Sequence, residues 1–206
     1  MATAEAKPTR TDRRRAATRA RLLGAARELF AEKGVGATRL GEITERADVA
    51  AGSLYNHFSD KDEIVDTLLH EISEQQGAIV DELTADLDDS AAVVALAHRH
   101  FVRLATADPS FGALAIRLDA SHRLMQQTLG PRALRDIQVG IETGRFKVDD
   151  PVAALHFTGG ALLGTVAGIV DGRLGDGADV FHAELVLRAL GLSPAQAAKV
   201  ARLPMD

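Results

Sequence analysis

The 206-residue sequence contains no cysteine, which excludes disulfides, thiolate metal sites and a cysteine nucleophile and fits a reducing compartment. Long alternating runs of Val, Ile and Thr are also missing, so β structure has almost no support. There is no G-x-S-x-G elbow, no phosphate-cradling glycine loop, no H-E-x-x-H and no dinucleotide fingerprint, and catalysis has no positive evidence. The first 21 residues are basic and polar without an apolar segment, so a secretory signal is not expected and a cytoplasmic location is. What is present is ordinary for a soluble chain: 46% hydrophobic and 26% charged residues, enough to bury the core of one domain or two modest ones. With six prolines and eighteen glycines placed mostly between periodic apolar segments, the expectation is an all-α protein.

The formal charge of −5 is unevenly distributed. Met1–Lys61 carries twelve Lys and Arg against eight Asp and Glu, a balance of +4, which leaves −9 for the remainder. Lys7, Arg10, Arg13, Arg14, Arg15, Arg19, Arg21 and Arg27 face only Glu5 and Asp12 over the first stretch. Such an arm suits phosphate contact, and a solvated tail accounts for the same residues equally well.

Helical periodicity organises the first sixty residues. Leu22, Ala25, Ala26, Leu29 and Phe30 make one apolar face of a helix that ends at Gly34. Thr38 sits at the N-cap position of a short second helix through Arg46, with Ile43 and Ala47 inward. After a turn at Asp48 and Val49, a third short helix over about 51–57 buries Leu54, with Phe58 beyond it. Two short helices joined by a tight turn are the helix-turn-helix arrangement, whose second helix enters the DNA major groove. A fourth helix opens at Lys61, where Asp60 and Glu63 form an acidic capping box, and runs to about Leu83.

Gly34, Thr38, Ile43, Ala47, Val49, Leu54, Tyr55, Phe58 and Lys61 stand at a spacing that resembles the fingerprint of TetR-family repressors. The resemblance implies an N-terminal three-helix DNA-binding domain, a helical ligand-binding and dimerisation domain, and a homodimer on palindromic double-stranded operator DNA, released by a small-molecule effector. Carried over residue by residue, it gives Thr38 a hydroxyl and nearby N–H for a phosphate, and Ser53, Tyr55 and His57 phosphate contacts from the reading helix. Lys61 adds its charge to a helix N-terminus. Arg39 suits guanine and Asn56 adenine, although both are equally residues that simply face solvent. Three positions depart from the family pattern, one of them Ala51, which stands where a basic or amide side chain is common. Asp48 replaces the usual glycine of the turn, and Ala50 replaces a capping Ser or Thr, a loss worth about 1 kcal/mol.

The remainder reads as five or six further helices. Asp108-Pro109, Asp150-Pro151 and Ser193-Pro194 each put a capping residue before a first-turn proline, and Gly130-Pro131 is expected to break or kink the stretch 121–143. Residues 153–170 carry no Asp, Glu, Lys or Arg and just reach membrane-span length. Seven of those eighteen are Gly, Thr or His, too polar for a good span, so no membrane partner is expected. Gly160, Gly164 and Gly168 recur at i+4, which permits close approach of another helix, and they are the expected dimer interface with a helix over 180–190.

Phe101, Leu104, Phe111, Ile116, Leu124, Met125 and Phe157 are candidates for an effector pocket taking a largely apolar ligand, or for plain core. The histidines show no metal-ligand spacing, since His98 and His100 point to different sides of one helix. No metal, cofactor or catalytic residue is assigned. The domain division is an arm over 1–17, a helix-turn-helix domain over 18–60 and a helical domain over 61–206. Two other readings stay open: a DNA-binding protein that senses no ligand or activates transcription, and an enzyme, which turnover on generic substrates would reveal.

Overall fold

The computed structural model describes residues 9–117 and 128–205. Among them are ten helices and no strand: α1 (Arg10–Ala37), α2 (Leu40–Arg46), α3 (Ala51–Leu54), α4 (Lys61–Thr84), α5 (Ser90–Ala107), α6 (Pro109–Ala115), α7 (Leu129–Glu142), α8 (Pro151–Val170), α9 (Ala178–Ala189) and α10 (Pro194–Val200). They fall into two compact units, Met1–Leu68 and Leu69–Asp206, and α4 runs through the boundary.

In the first unit, Leu22, Ala25, Ala26, Leu29 and Phe30 are all buried, as their spacing predicts, together with Ile43, Leu54 and Phe58. α1 starts earlier than expected. Thr9 and Asp12 form a capping box ahead of Arg10, so residues 10–17 are helical rather than a loose arm. Regular helix ends at Gly34, whose φ of 80° breaks the ladder before one further turn. Thr38 does not cap α2. It is buried, and its hydroxyl donates to the Gly34 carbonyl at 2.9 Å. Arg39 holds the N-cap position instead, and its backbone N–H is taken by the Glu42 carboxylate at 2.8 Å. Asp48 adopts φ of 51°, the left-handed turn conformation expected of it. Ala50 begins α3 without a side-chain cap.

The second unit is built on α5, α8 and α9. A continuous core runs from Ala91, Val94 and Ala95 of α5 through Ile137 and Leu155 to Ala183, Val186 and Leu187, and closes on Ala197 and Val200 of α10. Asp89, Asp108, Asp150 and Ser193 cap α5, α6, α8 and α10, the last three before proline. Gly130 and Pro131 start α7 within its first turn; they do not break it, because proline needs no N–H partner there. α8 is long and apolar enough to cross a membrane by composition. Its Ala154, Leu155, Thr158, Gly159 and Val166 are buried, packed in the centre of the unit.

This core also contains charge. Arg99 is buried, with its guanidinium 3.2 Å from Asp179 and donating to the Leu203 carbonyl at 2.5 Å. Arg103 meets the same Asp179 oxygen at 2.7 Å. Burial alone would raise the Asp179 carboxyl, but the hydrogen bonds from Arg103 and Arg99 more than offset it and hold the group below its usual range.

Candidate nucleic-acid interface and effector cavity

α3 continues as a tight turn to Phe58, which bonds back to the Leu54 carbonyl at 2.9 Å. Leu54 and Phe58 anchor it in the core. That leaves Tyr55, 65% exposed, beside exposed Asn56, with Ser53 and His57 half-buried. The helical start of α1 brings basic groups to this surface. An Arg15 N–H donates to the Asn56 carbonyl at 3.4 Å, and an Arg21 N–H to the Asp48 carbonyl at 3.5 Å. Burial first, then the charges of Arg15 and Arg19, hold His57 below its usual pKa. Arg19 also lies over the Phe58 ring, 5.2 Å from its centroid. The sequence showed a basic arm but not its place; the signal was the Thr9–Asp12 capping box, which makes the arm a helix.

Two residues assigned to phosphate are otherwise engaged. The Thr38 hydroxyl is spent on the end of α1. The Lys61 ammonium donates to the Val35 and Thr38 carbonyls at 2.8 and 3.0 Å, tying the first turn of α4 to the end of α1. Both hold the start of the helix-turn-helix in position. Arg39 is exposed at the tip of α2.

The pocket candidates divide sharply. A cavity of about 70 Å³ lies among α4, α5, α7 and α8, and of the five candidates among the described residues Phe101 alone lines it. Phe111 is buried against Phe101 with ring centroids 6.2 Å apart, and is core. Leu104 is half-buried away from the cavity. Ile116 and Phe157 are 40% and 62% exposed. Leu124 and Met125 lie outside the described residues. Periodicity finds buried faces but cannot tell a cavity wall from a filled core.

The cavity wall is apolar through Val80, Val94, Leu129, Ile137, Leu155 and Leu162, with charge at its α4–α7 edge. Arg132 spans that edge: it donates to Asp81 at 3.0 Å, to both Glu74 oxygens at 3.0 and 3.2 Å, and to the Thr128 carbonyl at 3.2 Å. Gly77 faces it closely, since a Cβ there would lie 3.1 Å from the guanidinium. Arg135 bridges Asp81 and Asp136 at 3.3 and 3.0 Å. Burial pushes the Asp136 carboxyl up, against the opposing pull of Arg135.

The glycine repeat also separates. Gly160 and Gly164 are exposed with open space above them, whereas a Cβ on Gly168 would meet Leu174 of the same chain at 2.7 Å. Gly168 therefore serves the turn after α8. On α8 and α9, Val152, Phe157, Phe181 and Leu185 are also large apolar side chains left exposed. Among the described residues no cluster of His, Asp or Glu could hold a metal ion.

A three-helix head with an exposed second helix and flanking arginines, joined to a helical unit holding a small cavity, defines a helix-turn-helix transcriptional regulator. A sequence model described as bacterial regulatory proteins, tetR family, matches residues 22–68, and one described as tetracyclin repressor-like, C-terminal domain, matches 89–203. The chain belongs to the TetR family. It is similar to the crystal structure of RolR in complex with the ligand resorcinol, at 36% identity, covering 94% of this chain and 97% of that one with a TM-score of 0.80. The transcriptional repressor KstR2 of Rhodococcus jostii is 34% identical over 108 residues, 52% of each chain. This chain thus spans about half the length of that curated relative. The repressor AcnR of Corynebacterium diphtheriae is 27% identical over 179 residues, 82% of this chain and 87% of that one. KstR2 and AcnR are both named as transcriptional repressors.

Proposed function

We propose that the chain is a ligand-responsive repressor that binds a palindromic operator as a homodimer and is released by a small, mainly apolar effector of the hydroxylated aromatic class. The observation that carries this reading is the cavity among α4, α5, α7 and α8, apolar along its walls and edged by Arg132 and Asp136. Its small volume leaves no room for a long chain, and the similar RolR structure holds resorcinol. Effector binding acts by favouring a conformer with a different spacing of the two reading helices, by no more than its differential affinity for the two states.

Ser53, Tyr55, Asn56 and His57 form the contact surface on α3 and its turn, with Arg39 at the tip of α2 and Arg15 and Arg21 adding phosphate attraction. Thr38 and Lys61 act by positioning. Dimerisation uses the exposed stripe of Phe157, Gly160 and Gly164 on α8 with Phe181 and Leu185 on α9, whose exposed apolar side chains need a partner surface. A role on operator DNA implies a cytoplasmic location.

The test is selection of bound sequences from a random duplex pool, followed by release on titration with resorcinol. A palindrome in the selected pool and release at micromolar resorcinol are expected; absence of any retained duplex at low salt overturns the reading. Gly164→Leu should convert a sedimenting dimer to monomer, and a variant that remains dimeric removes the proposed interface.

A further inference from the structure

Beneath the cavity, three side chains form a hydrogen-bonded file whose direction follows from one end. The Thr165 hydroxyl lies 3.0 Å from the Ala161 carbonyl oxygen. With the hydroxyl donating to that carbonyl, Thr165 offers only a lone pair to His182 Nδ1, 2.9 Å away. His182 Nδ1 therefore carries the proton, and in a neutral ring its Nε2 is bare. That Nε2 lies 2.9 Å from His98 Nδ1, which must then be the protonated nitrogen. His98 Nε2 is left as a lone pair, and among the described residues no group is hydrogen-bonded to it. Both rings are held neutral. Burial, with His182 adjacent, takes His98 down to about 3, and burial takes His182 to about 4.

His98 forms part of the cavity wall. We propose that His98 Nε2 is a fixed hydrogen-bond acceptor that selects effectors carrying a hydroxyl or N–H donor at that end of the pocket, with His182 and Thr165 as the positioning residues that set its tautomer. The proposal rests on the reading of this cavity as the effector site. It also refines that reading. Asp136 at the charged edge is a second acceptor, so the pocket favours a ring with two donors over one whose second oxygen is an ether. A ligand without a donor at His98 leaves the lone pair desolvated and unpaired, which is the arrangement that discriminates most strongly in binding sites.

The test uses the full chain labelled with 15N-histidine, and calorimetry with resorcinol, 3-methoxyphenol and 1,3-dimethoxybenzene. In the free protein the nitrogen spectrum should show His98 protonated at Nδ1 and bare at Nε2, and resorcinol should shift the Nε2 resonance. Resorcinol should bind at least about tenfold more tightly than 3-methoxyphenol, the scale expected for one unmade buried hydrogen bond. His98→Leu should shrink that gap to within about threefold by removing the acceptor. Thr165→Val, close in shape, should mix the two tautomers in the spectrum and narrow the gap without loss of helicity. A protonated His98 Nε2 in the free protein overturns the proposal, and so does a gap that survives in His98→Leu. Absence of heat with all three compounds sinks the hydroxylated-aromatic reading instead, while the nitrogen spectrum still decides whether His98 is an acceptor.

Discussion

The two units of this chain distribute their polar chemistry in opposite ways. In residues 9–68 the interior is made of Leu22, Leu29, Phe30, Ile43, Leu54 and Phe58, and the arginines lie on the outside or at its margin. In residues 69–205 the apolar core is threaded by Arg99, Asp179 and His182, with His98 at the cavity beside them. A surface that meets a polyanion needs its charges in water, where they can release counterions. A unit that recognises a small molecule needs polar groups fixed in a low-dielectric interior, where an unmade hydrogen bond is costly. The difference teaches that the head can be altered outside with little effect on folding, whereas the second unit carries stability and recognition in the same buried groups.

The largest effect that would sharpen this contrast is expected from Asp179→Ala. It leaves Arg99 as a buried charge without its carboxylate and should cost about 3 to 5 kcal/mol in urea unfolding; a loss within experimental error would break the contrast. Next comes the acid limb. Above pH 6.5 His98 and His182 are neutral whether folded or not. As pH falls below that value the unfolded chain takes up protons that the native rings, at about 3 and 4, refuse, so stability declines from pH 6.5 towards 4. At pH 5 each ring should cost roughly 2 kcal/mol. Urea midpoints compared at pH 7 and 5 should show this, and the double variant His98→Leu, His182→Phe should lose that part of the decline.

Smaller effects belong to the head. Lys61→Met should lower its stability by about 1 to 2 kcal/mol, because the Thr38 carbonyl loses its donor and the Val35 carbonyl keeps only the Thr38 N–H, and hydrogen exchange at the start of α2 should rise. Smallest, and opposite in sign, Asp48→Gly should stabilise by about 0.5 to 1 kcal/mol through relief of the left-handed turn. A destabilised Asp48→Gly variant would mean that the carboxylate does something the backbone angle does not reveal.

The head was the more legible half for a physical reason. Its apolar spacing, its Gly34 break and its Leu-Tyr pair are local signals, and each maps onto one element. Thr38 was misread because a hydroxyl next to a helix start is also next to a helix end, and here the carbonyl of Gly34 won it. In the second unit the caps before Pro109, Pro151 and Pro194 were equally readable. The cavity was not. Its edge combines Asp81 of α4 with Arg132 and Asp136 of α7, and its wall includes His98 of α5, three helices well separated in sequence. Phe157 illustrates the same limit, since an aromatic in an apolar helix reads as buried until the outward face of that helix is known.

Tyr55 has one more use. The chain has no tryptophan and a single tyrosine, and that phenol sits exposed on the reading helix. Ultraviolet emission from the unmodified protein therefore arises almost wholly from this one ring, so quenching on addition of a duplex reports events at the head with no dye attached and no competing fluorophore elsewhere in the chain.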